Sequence, residues 1–216
     1  MSSSNLGDFI ITGTDTDIGK TVFSAALMLG LNNAGENTSY WKPIQSGIAG
    51  GVDTKAVQKL TALPNEKFLP EGYVFTEPLS PHRAAEIDGM EIDVKGLRIP
   101  PHEGRLLIEG AGGLMVPLTR KNLLVNLFRH WKAPAILCAR TGLGTINHTL
   151  LSLEALWARK MPIHGIVFIG EENEDNMKTI AEFSGEKILG RLPLLDKLDA
   201  ASLQKAFDEN FKIEDF

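Results

Sequence analysis

Short apolar runs alternate with longer amphipathic stretches along the chain. "DFIITG" (Asp8–Gly13) is β-branched, apolar and closed by glycine, which predicts a buried strand. Lys20 to Ala34 carries Val22, Ala25, Ala26 and Leu29 at helical spacing. "TSYWKP" (Thr38–Pro43) predicts a second strand, and Asp53 to Leu60 a helix opening on an acidic cap. "RLLIEG" (Arg105–Gly110), "PAILCA" (Pro134–Ala139) and "IHGIVFIG" (Ile163–Gly170) predict further strands, and "ILGRLPLL" (Ile188–Leu195) begins as one. Helices are predicted over Leu123–Trp131, Thr145–Lys160, Asn176–Ser184 and Ala200–Phe207. Pro64 to Pro101, rich in proline, glycine and charge, reads as short helices and loops. Strands apolar throughout and separated by helices call for a mainly parallel sheet covered on both faces. Right-handed crossovers make that a doubly wound α/β fold, with ligands beyond the carboxyl ends of the strands.

The 216 residues fit one domain spanning 1–216, and a 43% apolar content provides for a sizeable core. A net charge of -5 argues against a broad nucleic-acid or membrane surface, which would be basic. No apolar run has transmembrane length, and "MSSSNLGDF" has neither the basic nor the apolar segment of a secretory leader. Cys138, the one cysteine, reads as a buried thiol on a strand, so the cytoplasm is the expected compartment. The acidic tail "FDENFKIEDF" reads as solvated.

The polar exceptions fall at the predicted strand ends. After the first strand comes "GTDTDIGKT", with five residues between Gly13 and Gly19 where a usual phosphate loop has four. Gly13 and Gly19 let successive backbone N–H groups curl toward an anion, and the following helix adds its N-terminal dipole. Lys20 reaches bridging phosphate oxygens, and the Thr21 hydroxyl is a magnesium ligand type. The polar run Thr14, Asp15, Thr16 and Asp17 offers a floor for a second ligand.

"EGAGG" puts Glu109 at the tip of a strand, either as a metal-linked acid or as an exposed turn carboxylate; a neighbouring phosphate loop favours the former. "WKPIQSG" places Lys42 between an apolar strand and Pro43, where a held ammonium neutralises phosphoryl or carboxyl charge and Ser46 donates to the same ligand. Asp53 reads as a helix N-cap, a metal-side oxygen, or both. The five histidines lack zinc-ligand spacing, and neither a nucleophile elbow nor a dinucleotide fingerprint is present.

Together "GTDTDIGKT", "WKPIQSG", "EPLSPHRAAE" (Glu77–Glu86), "EGAGG" and "TGLGTINHTLL" make the chain, from about residue 8 to about 195, resemble the dethiobiotin synthetase family. The five-residue gap is that family's pattern. The resemblance implies a P-loop NTPase fold and an ATP- and Mg²⁺-dependent cyclo-ligase. It would carboxylate 7,8-diaminononanoate with CO₂ and close a ureido ring through a carbamic–phosphoric anhydride. By matching positions, Asp17, Ile18, Gly19, Lys20, Thr21 and Val22 would hold ATP, with Gly110, Ala111 and Gly112 on the nucleotide side. Thr21, Asp53 and Glu109 would hold Mg²⁺. Lys42 and Lys20 would be catalytic, and Thr16 and Ser46 would touch the diamine or its carbamate. The resemblance also implies a homodimer, with Asn147 near the substrate carboxylate across the interface.

The family places an adenine-reading Asn after the strand ending near Phe168; Ile169 and Gly170 stand there in this chain. Asn173 is the substitute within reach in sequence, and Leu192, Pro193 and Leu194 resemble a second base-side turn. Either Asn173 reads the base instead, or base recognition is looser. A cobyrinate-like amidoligase would need a glutaminase domain that this length cannot hold. A partitioning ATPase would carry a lysine where Asp15 stands.

Overall fold

The computed structural model describes residues 7–216; the first six, on which the leader expectation falls, lie outside the described residues. In chain order the elements are β1 (Phe9–Gly13), α1 (Lys20–Asn33), β2 (Thr38–Trp41), β3 (Ile44–Ser46), α2 (Asp53–Thr61), β4 (Phe68–Leu69), β5 (Tyr73–Phe75) and α3 (Pro81–Ile87). β6 (Arg105–Glu109), α4 (Leu124–Trp131), β7 (Ala135–Arg140), α5 (Thr145–Trp157), β8 (Ile163–Ile169), α6 (Glu174–Ser184), β9 (Ile188–Leu192) and α7 (Ala200–Asn210) complete it.

Seven strands pair in the order β4-β2-β6-β1-β7-β8-β9, and every pair is parallel. The doubly wound sheet is therefore as the apolar pattern predicts. All residues of β1 and β6 are buried, because helices cover both faces. Alternate residues divide into two cores. Ile11, Tyr40, Leu107, Ile136 and Val167 face α1 and α7; Ile10, Trp41, Ile108, Leu137 and Phe168 face the other side. α1 lies so close to α7 that a Cβ at Gly30 would stand 2.3 Å from the Phe207 ring, so the small residue sets the packing distance. Among the described residues no helix is long and apolar enough to cross a membrane.

Three expectations need correction. β2 ends at Trp41, and the chain after it enters a separate two-stranded parallel sheet, β3 with β5, which pairs Ser46 with Phe75. Asp53 does not cap α2: Val52 is the N-cap and Asp53 is the first helical residue, its amide donating to Gln45 Oε1. The C-terminal tail is not solvated. α7 runs to Asn210, Phe211 is buried, and Phe216 packs among Phe9, Phe23, Phe207 and Phe211. The Arg105 guanidinium donates to the Phe216 carbonyl at 2.7 Å and lies over the Phe9 ring. The acidic residues mask aromatic spacing that is buried against α1 and β1.

Candidate active site

β1 ends in the middle of the sheet, between β6 and β7, so the loop after it opens where crossovers run to both sides. Gly19 sits at φ 97 and caps α1 without a side-chain hydrogen bond, which leaves the helix's first amides free for an anion. A side chain there would be strained and would meet Ile169 at 2.9 Å. Asp17 also has positive φ, at 51. The Arg140 side chain, from the end of β7, donates to the carbonyls of Thr16 and Asp17 and braces the lengthened loop. Asp15 accepts its neighbour Thr16's amide on Oδ1, and Lys20 Nζ donates to the Asp15 carbonyl at 2.7 Å.

Glu109 is buried, 1% exposed, so the exposed-turn reading falls away. Its Oε1 accepts from Thr21 Oγ1 at 2.8 Å and Lys42 Nζ at 3.0 Å; its Oε2 accepts from Ser24 Oγ at 2.8 Å and Tyr40 Oη at 3.1 Å. Lys42, 4% exposed, also meets Asp53 Oδ2 at 2.6 Å and the Gly110 carbonyl at 3.1 Å. Burial alone would lower the Lys42 pKa, but Glu109 and Asp53 outweigh it and raise it, so this lysine is a fixed cation. Burial lowers the Lys20 pKa, with Glu109 opposing and Lys42 adding to the fall.

A cavity of about 230 Å³ is lined by Thr16, Asp17, Ile18, Gly19, Lys20, Thr21, Lys42, Asp53, Glu109 and Gly112. Most of the residues singled out in the sequence for phosphate, metal and catalysis meet here. The Thr21 hydroxyl and two carboxylates are hard oxygen donors of the kind Mg²⁺ takes. Among the described residues no three His, Cys, Asp or Glu side chains form a metal cage. A partial donor set suits an ion that completes its shell with water and phosphate oxygens. Beside it, a largely apolar cavity of about 540 Å³ brings Val22, Ile169, Gly170, Leu192, Pro193 and Leu194 to the same end of the loop. On the other side, about 310 Å³ lie between Thr14–Thr16, residues 113–116 and His148, Leu151, Ser152 and Ala155 of α5. A larger cavity of about 800 Å³, near α3 and residues 90–95 and 118–122, contains none of these groups.

Not every expected residue joins the cluster. Ser46 lies outside all three cavities, although its buried Oγ has no partner. Ala111 lines none of them, and Gly110 contributes a carbonyl rather than an amide. Asn147 is exposed on α5. Asn173 is spent as the N-cap of α6, accepting the Asn176 amide at 3.1 Å, and does not line the apolar cavity. Sequence reasoning missed Ser24, Tyr40 and Arg140. Ser24 follows Thr21 by one helical turn and Tyr40 precedes Lys42 by one strand repeat, spacings that would have found both. Cys138 is buried beside the loop, its thiol pushed up by burial.

A parallel sheet with this loop and cavity at its switch point defines a P-loop NTPase fold. Solved structures of the cell division ATPase MinD from Pyrococcus furiosus (TM-score 0.57, 11% identity, 94% of this chain and 98% of that one) and of the MinC:MinD complex from Aquifex aeolicus (0.55, 12%, 93% and 86%) share it. A family model described as an AAA domain matches residues 8–202. Curated relatives in Rhodopseudomonas palustris strain TIE-1 (52% identical, 96% of this chain, 95% of the relative) and Brucella anthropi (53%, 96% of each) are ATP-dependent dethiobiotin synthetases. The chain belongs to the dethiobiotin synthetase family of ATP-dependent ligases.

Proposed function

We propose that this protein is an ATP- and Mg²⁺-dependent dethiobiotin synthase acting on 7,8-diaminononanoate and CO₂. The observation that carries the reading is Lys42, a buried cation shared by Glu109 and Asp53 and set against the loop lysine Lys20 in one cavity. One substrate amine attacks CO₂, forming an N–C bond and losing a proton, to give a carbamate. A carbamate oxygen attacks the γ-phosphorus, and the β–γ bridging P–O bond breaks to release ADP. The second amine then attacks the carbamoyl carbon, the C–O bond to phosphate breaks, and phosphate and a proton depart. Each step gathers anionic oxygen. Lys42 is held protonated and stabilises that charge rather than acting as a base. Lys20 exchanges the Asp15 carbonyl for phosphate oxygens. Thr21, Asp53 and Glu109 would hold Mg²⁺, which neutralises β- and γ-phosphate charge. Thr16 borders both the phosphate cavity and the cavity toward α5, so the diamine reaches the phosphates past it. Holding both amines in one place makes ring closure intramolecular.

A homodimer with its sites at the interface belongs to the same reading, supported by exposed Leu143, Met115 and Leu151 near Asn147 and the α5 cavity. So does a cytoplasmic location, which suits an unpaired thiol. The test is turnover: phosphate release from ATP is expected to require diaminononanoate and bicarbonate together. Hydrolysis independent of both, stimulated by DNA or a protein partner, would sink the synthase reading.

Base selectivity is expected to be weak. With Asn173 committed to its cap, no amide side chain among the described residues lines the largely apolar cavity, whose polar side chains are Asp17, Arg140, Thr141 and Glu171 at its border, and apolar pockets discriminate far less than side chains built to read a polar edge. Replacing ATP by CTP or GTP should lower kcat/KM by about tenfold or less. A loss approaching a thousandfold would show a dedicated adenine reader.

A further inference from the structure

The Glu109 carboxylate is held by an arrangement that the proposed reaction does not explain. Strand pairing sets Tyr40 beside Leu107, and alternation puts Glu109 on the same sheet face as Leu107, and Lys42 on the same face as Tyr40. α1 covers that face, and Thr21 and Ser24 are one turn apart on it. α1 and the segment formed by β2 and the residue after it thus each supply two donors, one to each carboxylate oxygen. Thr21 and Lys42 take Oε1, while Ser24 at 2.8 Å and Tyr40 at 3.1 Å take Oε2. Oε1 belongs to the side lined by Lys20, Thr21, Lys42 and Asp53; the donors on Oε2 are both fully buried.

We propose that Tyr40 and Ser24 are positioning residues: by occupying Oε2 of Glu109 they commit Oε1 to the metal. The proposal rests on reading the cavity as a Mg²⁺–nucleotide site. A glutamate's terminal torsion is soft, so covalent geometry does not fix which oxygen faces the cavity. A buried carboxylate turns toward whatever donors it has. Without the two hydroxyls it would draw Thr21 and Lys42 onto both oxygens, and Thr21 would turn away from the metal. Packing alone does not call for Tyr40. Phenylalanine fills nearly the same space without leaving a hydroxyl in a site of 0% exposure, and the hydroxyl's recorded partner is Glu109.

The test uses Tyr40→Phe, Ser24→Ala and the double variant, with Mn²⁺ as the probe. Mn²⁺ uptake is followed by electron paramagnetic resonance with a non-hydrolysable ATP analogue present, and analogue binding is measured separately in excess chelator. Outer-sphere partners of metal ligands typically govern affinity by tenfold or more. Each single variant should therefore weaken Mn²⁺ by roughly tenfold and leave metal-free analogue affinity within about twofold. A purely structural role predicts a lowered melting temperature with unchanged Mn²⁺ affinity, and that result in Tyr40→Phe overturns the proposal. Wild-type protein that takes up no Mn²⁺ with the analogue overturns the reading of the site, and the proposal with it.

Discussion

Replacing Lys42 with alanine is expected to lower kcat by roughly 10²–10³-fold, the loss that follows removal of one fixed donor from a site of developing anionic charge. The ammonium cannot be replaced by solvent, since it is 4% exposed and engaged by Glu109, Asp53 and the Gly110 carbonyl. Because the charge it meets grows toward the transition state, kcat and kcat/KM should fall together. The fold should survive: Glu109 keeps Thr21, Ser24 and Tyr40 as donors, so the cost is on the order of 1–3 kcal/mol. Arginine should not rescue, because its planar fork does not fit a site shaped for a point charge. Phosphate release at saturating substrates, with thermal melts alongside, decides the matter. Near-normal kcat in a folded Lys42→Ala protein refutes the assigned role.

The second large effect lies far from the chemistry. Phe211→Ala is expected to destabilise the protein by about 3–4 kcal/mol, a usual cost for emptying a buried phenylalanine site. The ring lies 5.3 Å from Phe207, 5.7 Å from Phe23 and 6.2 Å from Phe216 between centroids. In a chain of this size that corresponds to a melting temperature lower by on the order of 10 °C. Activity well below the melt should be retained, since α1 still presents Lys20 and Thr21. A variant with an unchanged melt would mean that the aromatic cluster is dispensable.

The difference between these residues also explains what was legible beforehand. The sheet could be read because parallel strands buried on both faces carry unbroken apolar runs, as Phe9–Ile11 of β1, Leu106–Ile108 of β6 and Ala135–Ala139 of β7 do. The loop could be read because its function depends on local spacing of Gly, Lys and Thr. β3, β4 and β5 could not, since two- and three-residue strands carry no measurable period. The tail could not be read from its average, which the acidic residues set, whereas Phe207 in the last turn of α7 and Phe211 just past its end set its position. In the site, Lys42, Asp53 and Glu109 stood out as charges at strand ends and helix starts. Tyr40 and Ser24 look like ordinary core residues until β2 and α1 converge on Glu109. Asn173 shows the converse: a side chain in the right stretch of sequence is claimed by the nearest helix end.

With Cys138 sealed from solvent and its thiol held protonated, the chain is already a silent background for maleimide chemistry. A cysteine introduced at the fully exposed Leu143 would be its sole reactive handle. A dye or bifunctional cross-linker placed there reports directly on whether two copies meet at the corner between β7 and α5, without removing any native thiol.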